Sequence, residues 1–357
     1  MINGQDHVKT RATVLAISAA ALYGLSSPLS KLLLKGLSPA FMAAFLYLGA
    51  GFGMLLVTIV KHQFTGRRTK EAALTREEMP FILLMILLDI LAPILLMYGL
   101  GMTTAANASL LNNFEIVATT LLALFLFREA VGRRMWLAIG LITLSSILLT
   151  VEDPGSLRFS GGSVLVLLAC VAWGLENNTT RKLSIKDPMQ VVIIKGLGSG
   201  LGALIIAVLA REMKFDLGYA FLTLLLGFAA YGISIYFYIL AQRDLGASRT
   251  SAYYATAPFI GVIISFALFR TPMTTTFVLA SFIMLLGTYF VITESHGHVH
   301  EHAVETHEHK HSHDDLHHDH QHEPPFSGEH SHIHEHEKLI HDHEHLPDLH
   351  HRHEHSK

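Results

Sequence analysis

Long apolar runs dominate this sequence and constrain its fold more than any other feature. A helix needs about 20 apolar residues to cross roughly 30 Å of hydrocarbon, and ten such runs follow one another along the chain. Open strand edges cannot be satisfied in lipid, so the runs must be helices. The sequence therefore predicts an all-α polytopic membrane protein. Its predicted spans are 12–34, 39–61, 79–101, 104–127, 134–151, 161–183, 188–210, 217–241, 247–269 and 274–293.

Positive charge is distributed unevenly between the connecting segments. With the N-terminus placed inside, the inner segments carry fifteen Lys and Arg residues and the outer loops carry six. Cytoplasmic loops are enriched in these residues, so both termini are expected to be cytoplasmic, in the inner or plasma membrane of a prokaryote. The N-terminus runs straight into the first span, which predicts an uncleaved first helix. A formal net charge of −3 favours no nucleic-acid partner, and the single Cys170 leaves no disulfide framework.

The composition changes abruptly at His296. From there the chain holds 23 of its 25 histidines, mixed with Glu and Asp. Such a segment cannot bury enough apolar surface to fold alone, so residues 294–357 are predicted to form a disordered cytoplasmic tail. Imidazole and carboxylate groups suit Zn²⁺, Ni²⁺, Co²⁺ or Cu²⁺, and loose binding is expected because no fixed ligand spacing recurs. The histidines assigned to it are His296, His298, His300, His302, His307, His309, His311 and His313.

The two halves of the membrane region match each other in order. Tyr23-Gly24 in span 1 corresponds to Trp173-Gly174 in span 6, at a spacing of 150 residues, and glycines of span 2 recur in span 7 at a spacing of 149. Each half has five spans, an odd number, so the second half must be inverted. Inverted repeats are typical of alternating-access transporters with a site near the midplane. The predicted domains are a cytoplasmic N-terminus (1–11), two repeats (12–151 and 161–293) and the tail.

Together these features resemble the drug/metabolite transporter superfamily in its two-repeat EamA-type form. The resemblance rests on the aromatic–glycine pairs and on the stretches TTAANASLLNNFEIVATTLLALFLFREAV and RDLGASRTSAYYATAPFIGVIISFALF. It covers about residues 12–293 and implies ten helices, cytoplasmic termini, a central cavity lined by spans 1–4 and 6–9, and movement of small metabolites. The chain departs from the family where Glu115 is followed by Ile116 instead of proline, while the second repeat keeps Pro258 after Ala257.

Polar residues inside the spans are the candidates for a substrate and coupling-ion cavity. Ionisable residues within a membrane are rare and usually functional. Glu176 is expected to exchange a proton or bind a cation, and the alternative is a packing hydrogen bond. Asp89 is either a second titrating site or the ion-pair partner of Lys195. The candidates are Tyr23, Ser26, Asp89, Asn112, Glu115, Trp173, Glu176, Asn177, Asn178 and Lys195.

Several candidates also have a structural interpretation. Asn112 and Glu115, three residues apart, share one face of a continuous helix and line either a cavity or an interhelical hydrogen-bond cluster. Lys195 either attracts an anion, pairs with Glu176, or extends its ammonium group to the cytoplasmic interface. Tyr23 and Trp173 either contact an organic cation through their ring faces or pack at a helix crossing. The glycines of spans 2 and 7 predict close helix packing.

Three functions fit this pattern. The first is a secondary active transporter, an exporter of a small organic metabolite, working by alternating access and coupled to protons. The second is an exporter of Zn, Ni or Co that uses the tail, and the third is a membrane metal sensor that transports nothing. An enzyme is not expected, because no Ser/His or Cys/His pair and no phosphate loop lies in the spans. No cofactor is required. The expected partners are the lipid bilayer and a small molecule, and the sequence indicates no oligomeric state.

Overall fold

The protein is helical throughout its membrane region. The computed structural model describes residues 2–65, 74–127, 131–153, 158–180, 183, 186–245, 247–293, 297–302, 305–311, 330–336 and 339–344. Within them, fourteen α-helices form ten spans. These are α1 Ile2–Gly24 and α2 Ser26–Leu33 (span 1), α3 Pro39–Thr65 (span 2), α4 Met79–Met102 (span 3), α5 Ala105–Leu111 and α6 Phe114–Phe127 (span 4), α7 Arg133–Thr150 (span 5), α8 Gly161–Thr180 (span 6), α9 Pro188–Leu209 (span 7), α10 Leu217–Gly227 and α11 Ser234–Leu245 (span 8), α12 Ala247–Tyr254 and α13 Ala257–Phe269 (span 9), and α14 Thr275–Ile292 (span 10).

The ten-span helical membrane fold predicted from the sequence is confirmed. In the described part of the chain, nine helical stretches are long and apolar enough to cross a membrane. The tenth, α8, is a helix of 20 residues whose apolar content is lowered by its ENN stretch at Glu176. Nine of the spans begin and end within a few residues of their predicted positions, because apolar length is a local property of the sequence. Span 1 differs at its start, since α1 extends back to Ile2.

Span 1 is interrupted near its middle. The helix α1 ends at Gly24, and α2 begins at Ser26. Pro28 has no N–H group, so it cannot donate a hydrogen bond to the carbonyl of Gly24 four residues earlier. The Ser-Ser-Pro stretch therefore accounts for the break.

Spans 4 and 9 are interrupted at equivalent places in the two repeats. Span 4 turns at Asn112, where the N–H of Glu115 donates to its carbonyl over 3.1 Å, and span 9 turns at Thr256, where the N–H of Phe259 donates over 3.1 Å. Both are tight bonds to the third residue back. The helix is therefore not a continuous α-helix between Asn112 and Glu115, and a bond to the third residue back keeps these two side chains on the same side. In transporters, discontinuous helices commonly form the substrate site.

The two repeats pack against each other through spans 2, 3, 6 and 7. The helix α3 runs along α9, and α4 runs along α8. Close approach of α3 and α9 depends on glycine: a Cβ atom added to Gly196 would lie 2.6 Å from Gly51 Cα and 2.8 Å from the carbonyl oxygen of Tyr47. This glycine contact, Gly51 against Gly196, brings the interior faces of the two repeats together, as the small-residue spacing predicted.

The strands are short and lie outside the spans. Between spans 5 and 6, β1 Val151–Asp153 pairs with β2 Arg158–Phe159. In the tail, β3 Gly297–His302 pairs with β6 Leu339–Glu344, and β4 Glu305–His311 pairs with β5 His330–His336, all antiparallel. Isolated two-stranded ribbons are marginal in water, so the disorder expected for residues 294–357 stays a prediction.

Candidate functional site

Three charged side chains meet in the interior of the bundle. Lys195 Nζ on α9 lies 3.0 Å from Asp89 Oδ2 on α4 and 3.2 Å from Glu176 Oε1 on α8. The side chain of Asp89 is 0% exposed, that of Glu176 is 4% exposed and that of Lys195 is 20% exposed. The ion pair between Asp89 and Lys195 is thus present, and Lys195 does not extend to the cytoplasmic interface. We call these three residues the charge cluster.

Hydrogen bonds hold the charge cluster in place. The Tyr47 hydroxyl donates to Asp89 Oδ1 over 3.0 Å and receives the indole N–H of Trp173 over 3.4 Å. The Thr180 hydroxyl donates to Glu176 Oε1 over 3.0 Å. Both carboxylates are therefore oriented by a hydroxyl as well as by the ammonium group. A buried charge is tolerated only with such partners. The hydrogen bonds therefore stabilise a polar site in an otherwise apolar bundle.

The charge cluster joins groups from both repeats. It places two carboxyl groups around one ammonium group. Asp89 belongs to the first repeat, whereas Glu176 and Lys195 belong to the second. Lys195 therefore joins the repeats, and its pairing with Asp89 crosses their interface.

A third carboxylate lies next to an accessible amide. Asn177 Nδ2 donates to Glu115 Oε1 over 2.7 Å, and Glu115 forms no ion pair with any residue that the structure describes. Asn177 is exposed, although it lies two helical turns after the fully buried Cys170 and on the same face of α8. Leu168, which is exposed on the outer surface of the bundle, lies on the opposite face. Asn177 therefore faces an accessible space inside the bundle.

Of the remaining candidate amides, one takes part in helix packing and the other lies at a helix break. Asn178 Nδ2 donates to the carbonyl oxygens of Thr119 over 2.9 Å and Gly174 over 2.8 Å, which fixes α8 against α6. Asn112 lies at the break between α5 and α6, and its Oδ1 is buried without a hydrogen bond to a described residue. The geometry therefore gives Asn178 the packing role that was the alternative for the polar stretch of α8.

Tyrosine rings form a continuous chain beside these carboxylates. Ring centroids are 5.5 Å apart for Tyr47 and Tyr231, 5.9 Å for Tyr231 and Tyr23, 5.4 Å for Tyr23 and Tyr254, and 5.0 Å for Tyr254 and Tyr238. They come from spans 1, 2, 8 and 9. We call these five residues the tyrosine chain.

One member of the tyrosine chain sits in an unusual piece of backbone. Residues Phe228–Ile233 form a π-helical turn between α10 and α11, and Tyr231 lies inside it. Its hydroxyl shares a hydrogen bond of 2.8 Å with Ser26 Oγ. Single π-turns within helices occur frequently at functional sites, because the extra residue re-aims the side chains. The wider turn directs Tyr231 toward the broken part of span 1.

The predicted candidates therefore fall into four groups. Asp89, Glu176 and Lys195 meet in the charge cluster, with Trp173 reaching it through Tyr47. Glu115 and Asn177 pair with each other, and Tyr23 and Ser26 adjoin Tyr231. In the last group, Asn178 bonds α6 and Asn112 lies at the break between α5 and α6.

Four of the tyrosines were not predicted from the sequence, namely Tyr47, Tyr231, Tyr238 and Tyr254. A usable signal was present, because a tyrosine hydroxyl at membrane depth needs a hydrogen-bond partner and each of these lies well inside a span.

The histidine tail adds no described metal site. His296 and His313 lie outside the described residues, and for the other assigned histidines only the backbone is described. Among the described residues, no three His, Cys, Asp or Glu side chains come together as metal ligands. Metal binding by the tail stays a prediction.

A separate cavity of about 270 Å³ lies where spans 4 and 10 begin and spans 5 and 9 end, away from the charge cluster. Its polar lining is made of threonines and Asn107, and its lining includes no ionisable residue. Ligand pockets usually measure about 300–1,000 Å³. The charge cluster and its neighbours are therefore the stronger candidate site.

Comparison with known proteins gives a consistent result. The sequence model of the EamA-like transporter family matches residues 10–151 and, a second time, residues 160–293. An uncharacterized transporter of Methanothermobacter thermautotrophicus is 29% identical over 290 residues, which cover 77% of this chain and 84% of that protein. The uncharacterized transporter YyaM of Bacillus subtilis is 22% identical over 291 residues, covering 77% and 91% of the two chains.

A solved structure shares the fold. One protein of known crystal structure superposes on this chain with a TM-score of 0.55 and is 16% identical to it. The match covers 79% of this chain and 96% of that protein. At this identity the likeness shows the fold alone. The family match extends over both repeats and nearly all of the membrane region. The chain therefore belongs to the EamA-like transporter family.

Proposed function

We propose that the protein is a secondary active transporter that exports a small organic molecule by alternating access, driven by protons. In this proposal it lies in a prokaryotic inner or plasma membrane with both termini cytoplasmic. The observation that carries the proposal is Lys195, which contacts Asp89 of one repeat and Glu176 of the other repeat's first helix. A transporter of this kind needs an interaction between its repeats that a bound ion can alter.

One ammonium group shared by two carboxylates supplies such an interaction. When Glu176 takes up a proton, its attraction for Lys195 falls and the ammonium pairs with Asp89 alone. When the proton leaves, both carboxylates compete for Lys195 again. Because Asp89 lies across the repeat interface, proton occupancy changes the strength of that interface. In the proposed cycle Glu176 carries the coupling proton, and the repeats rock as Lys195 moves between partners.

Accessibility differs between the two ends of the bundle. Asn177 is exposed close to the end of α8 at Thr180, which is the cytoplasmic end in the predicted topology. At the other end, Glu212 Oε2 accepts from the Ala40 N–H over 3.1 Å, and Lys31 Nζ donates to the Leu100 carbonyl over 2.6 Å. These contacts tie together helices that would have to separate for outward opening. They support a cycle in which this conformation faces the cytoplasm.

Transport is testable in liposomes that contain the full-length protein and an internal pH indicator. Amino acids, organic cations, organic anions and divalent metals are added singly across a pH gradient. At least one organic solute is expected to move protons in wild-type liposomes, and Glu176→Gln should abolish that flux. The amide keeps the shape of the side chain and removes its titration. Glu77→Gln, at an exposed position in the turn before α4, is the matched control.

The outcomes separate the hypotheses. Proton flux with zinc, nickel or cobalt alone would favour the metal exporter, and no flux with any solute would contradict transport. Wild-type pH dependence in Glu176→Gln would assign Glu176 to packing. Folding of each variant is checked by size-exclusion chromatography in detergent.

A further inference from the structure

We infer that Tyr47 and Trp173 are positioning residues of the transport cycle. They keep Asp89 ionised and bound to Lys195, so that Glu176 is the carboxyl group of the charge cluster that exchanges the proton. This inference rests on the proposed transport function and deepens it. Two carboxyl groups share one ammonium group in the cluster, so the difference between them must come from their other contacts.

The direction of the Tyr47 hydroxyl proton is determined by Trp173. An indole N–H is a donor only, and it reaches the Tyr47 oxygen over 3.4 Å, so the hydroxyl accepts from it. The proton of the hydroxyl is then left for Asp89 Oδ1, which lies 3.0 Å away. Both aromatic residues are buried. Tyr47 lies on α3 of the first repeat and Trp173 on α8 of the second, so both repeats contribute to the orientation of Asp89.

Donors face both oxygen atoms of Asp89. Tyr47 donates to Oδ1, and the ammonium group of Lys195 lies 3.0 Å from Oδ2. A proton bound to either oxygen would meet the proton of another donor. Burial by itself favours the neutral form of a carboxyl group, and donors that face its oxygens favour the ionised form. The two donors therefore keep Asp89 ionised although its side chain is 0% exposed.

Glu176 is held less completely. Its Oε1 lies 3.2 Å from the ammonium group of Lys195 and accepts from the Thr180 hydroxyl over 3.0 Å. That hydroxyl has a second acceptor, the backbone carbonyl oxygen of Glu176 at 2.9 Å, so its proton can turn away from the carboxyl group. In the described part of the chain no donor bonds Oε2. A proton can therefore bind Glu176 without meeting another donor.

This difference limits the charge cluster to one exchanged proton. Lys195 is shared while Glu176 is ionised, and it is bound to Asp89 alone once Glu176 is protonated. A second proton on Asp89 would release Lys195 from both carboxyl groups and separate the repeats without regard to Glu176. Tyr47 and Trp173 oppose that second step, because they hold a donor against Asp89 in both states of Glu176.

Infrared difference spectroscopy of the full-length protein in lipid nanodiscs tests the inference. A neutral carboxyl group has a C=O stretching band that an ionised one lacks, and spectra are compared between alkaline and acidic buffer. Acidification of the wild type should produce a band that disappears in Glu176→Gln. Adding Asp89→Asn to Glu176→Gln should remove no further band. A band that this second substitution does remove would show that Asp89 exchanges a proton with Tyr47 in place, and would overturn the inference.

Tyr47→Phe removes the hydroxyl and keeps the ring. A carboxylate that loses a donor binds a proton more readily. Tyr47→Phe combined with Glu176→Gln should therefore show a new band that Asp89→Asn removes. Trp173→Phe should act in the same direction, because the Tyr47 hydroxyl can then turn away. Tyr289→Phe is the matched control, since Tyr289 lies on α14 and is 59% exposed. Spectra without an Asp89 band in both Tyr47→Phe and Trp173→Phe would refute the positioning role.

The pH dependence of transport is a second measurement. For any solute that moves in liposomes, Tyr47→Phe should shift the acidic limb of the rate profile toward higher pH, because Asp89 then takes up a proton and releases Lys195. A shift of about one to two pH units is expected for the loss of one hydrogen bond to a charged group. Loss of a purely structural contact would lower the rate at every pH and leave the limb in place, which would contradict the inference.

The failure of this inference and the failure of transport give different results. If a solute moves protons in liposomes and Asp89 binds a proton with Tyr47 in place, the positioning role is wrong and transport stands. If the spectra assign proton exchange to Glu176 and Tyr47→Phe adds the Asp89 band, but no solute is transported, the positioning role stands and the transport function fails.

Discussion

The glycine contact between α3 and α9 allows a prediction whose size follows from the structure. A methyl group added in Gly196→Ala would lie 2.6 Å from Gly51 Cα, whereas carbon atoms in contact prefer about 3.5–4.0 Å. The two helices would have to separate by roughly 1 Å. Overpacking of this kind costs about 1–3 kcal/mol. It is opposed by the better helix propensity of alanine, about 1 kcal/mol.

Gly140→Ala is the matched control. Gly140 lies inside α7, and an added Cβ there meets no atom within 4 Å. Both variants gain the same helix propensity, so the difference between their free energies of unfolding isolates the packing cost. Gly196→Ala should be less stable than Gly140→Ala by about 1–3 kcal/mol, measured by steric trapping in bicelles. Equal stability would refute the close packing of α3 and α9.

The same shift should weaken transport. Gly196 follows Lys195, whose Nζ lies 3.0 Å from Asp89, and a displacement of roughly 1 Å would take this pair to the limit of an ion pair. We therefore expect Gly196→Ala to lower the transport rate and Gly140→Ala to leave it unchanged.

Three further predictions concern topology, the tail and the charge cluster. A reporter active only outside the inner membrane, fused after His296, should stay silent, and a signal would reverse the topology. Truncation after Glu294 should leave transport intact and remove most of the zinc and nickel binding measured by calorimetry. Loss of all transport would contradict an accessory role for the tail. In the full-length protein, metal binding should weaken below about pH 6.5 because the imidazoles become protonated. Lys195→Met should cost about 3–5 kcal/mol of unfolding free energy, and adding Asp89→Asn and Glu176→Gln should restore most of it; a triple variant no more stable than Lys195→Met would contradict the ion-pair argument.

Local rules account for the spans and for one of the breaks. Apolar length located all ten spans, and Pro28 explains the interruption of span 1, because a missing N–H has a local effect. The break at Asn112 has no proline to mark it, so a continuous helix was predicted there. The pairing of Asp89 with Lys195 could be predicted from the sequence, because a charge in lipid must find a partner.

Contacts between distant segments could not be predicted from local sequence rules. Tyr23 and Tyr231 meet only because span 8 packs beside span 1, and no local pattern connects them. Asn178 was grouped with Glu176 by closeness in sequence, yet residues two positions apart on a helix point about 200° apart, toward nearly opposite sides. The structure accordingly gives the two side chains different partners.

The position of Lys195 along the chain has a consequence for biosynthesis. Spans 3 and 6 leave the ribosome before span 7, so Asp89 and Glu176 enter the membrane while their shared partner is still unmade. An unpaired charge at the centre of a span raises the apparent insertion energy by about 2.5–3.5 kcal/mol. The helix α8 is, in addition, poor in apolar residues around Glu176. The first repeat therefore cannot reach its final packing during its own translation. Its assembly waits for the second repeat, and a chain arrested after span 6 should be a substrate for membrane quality control.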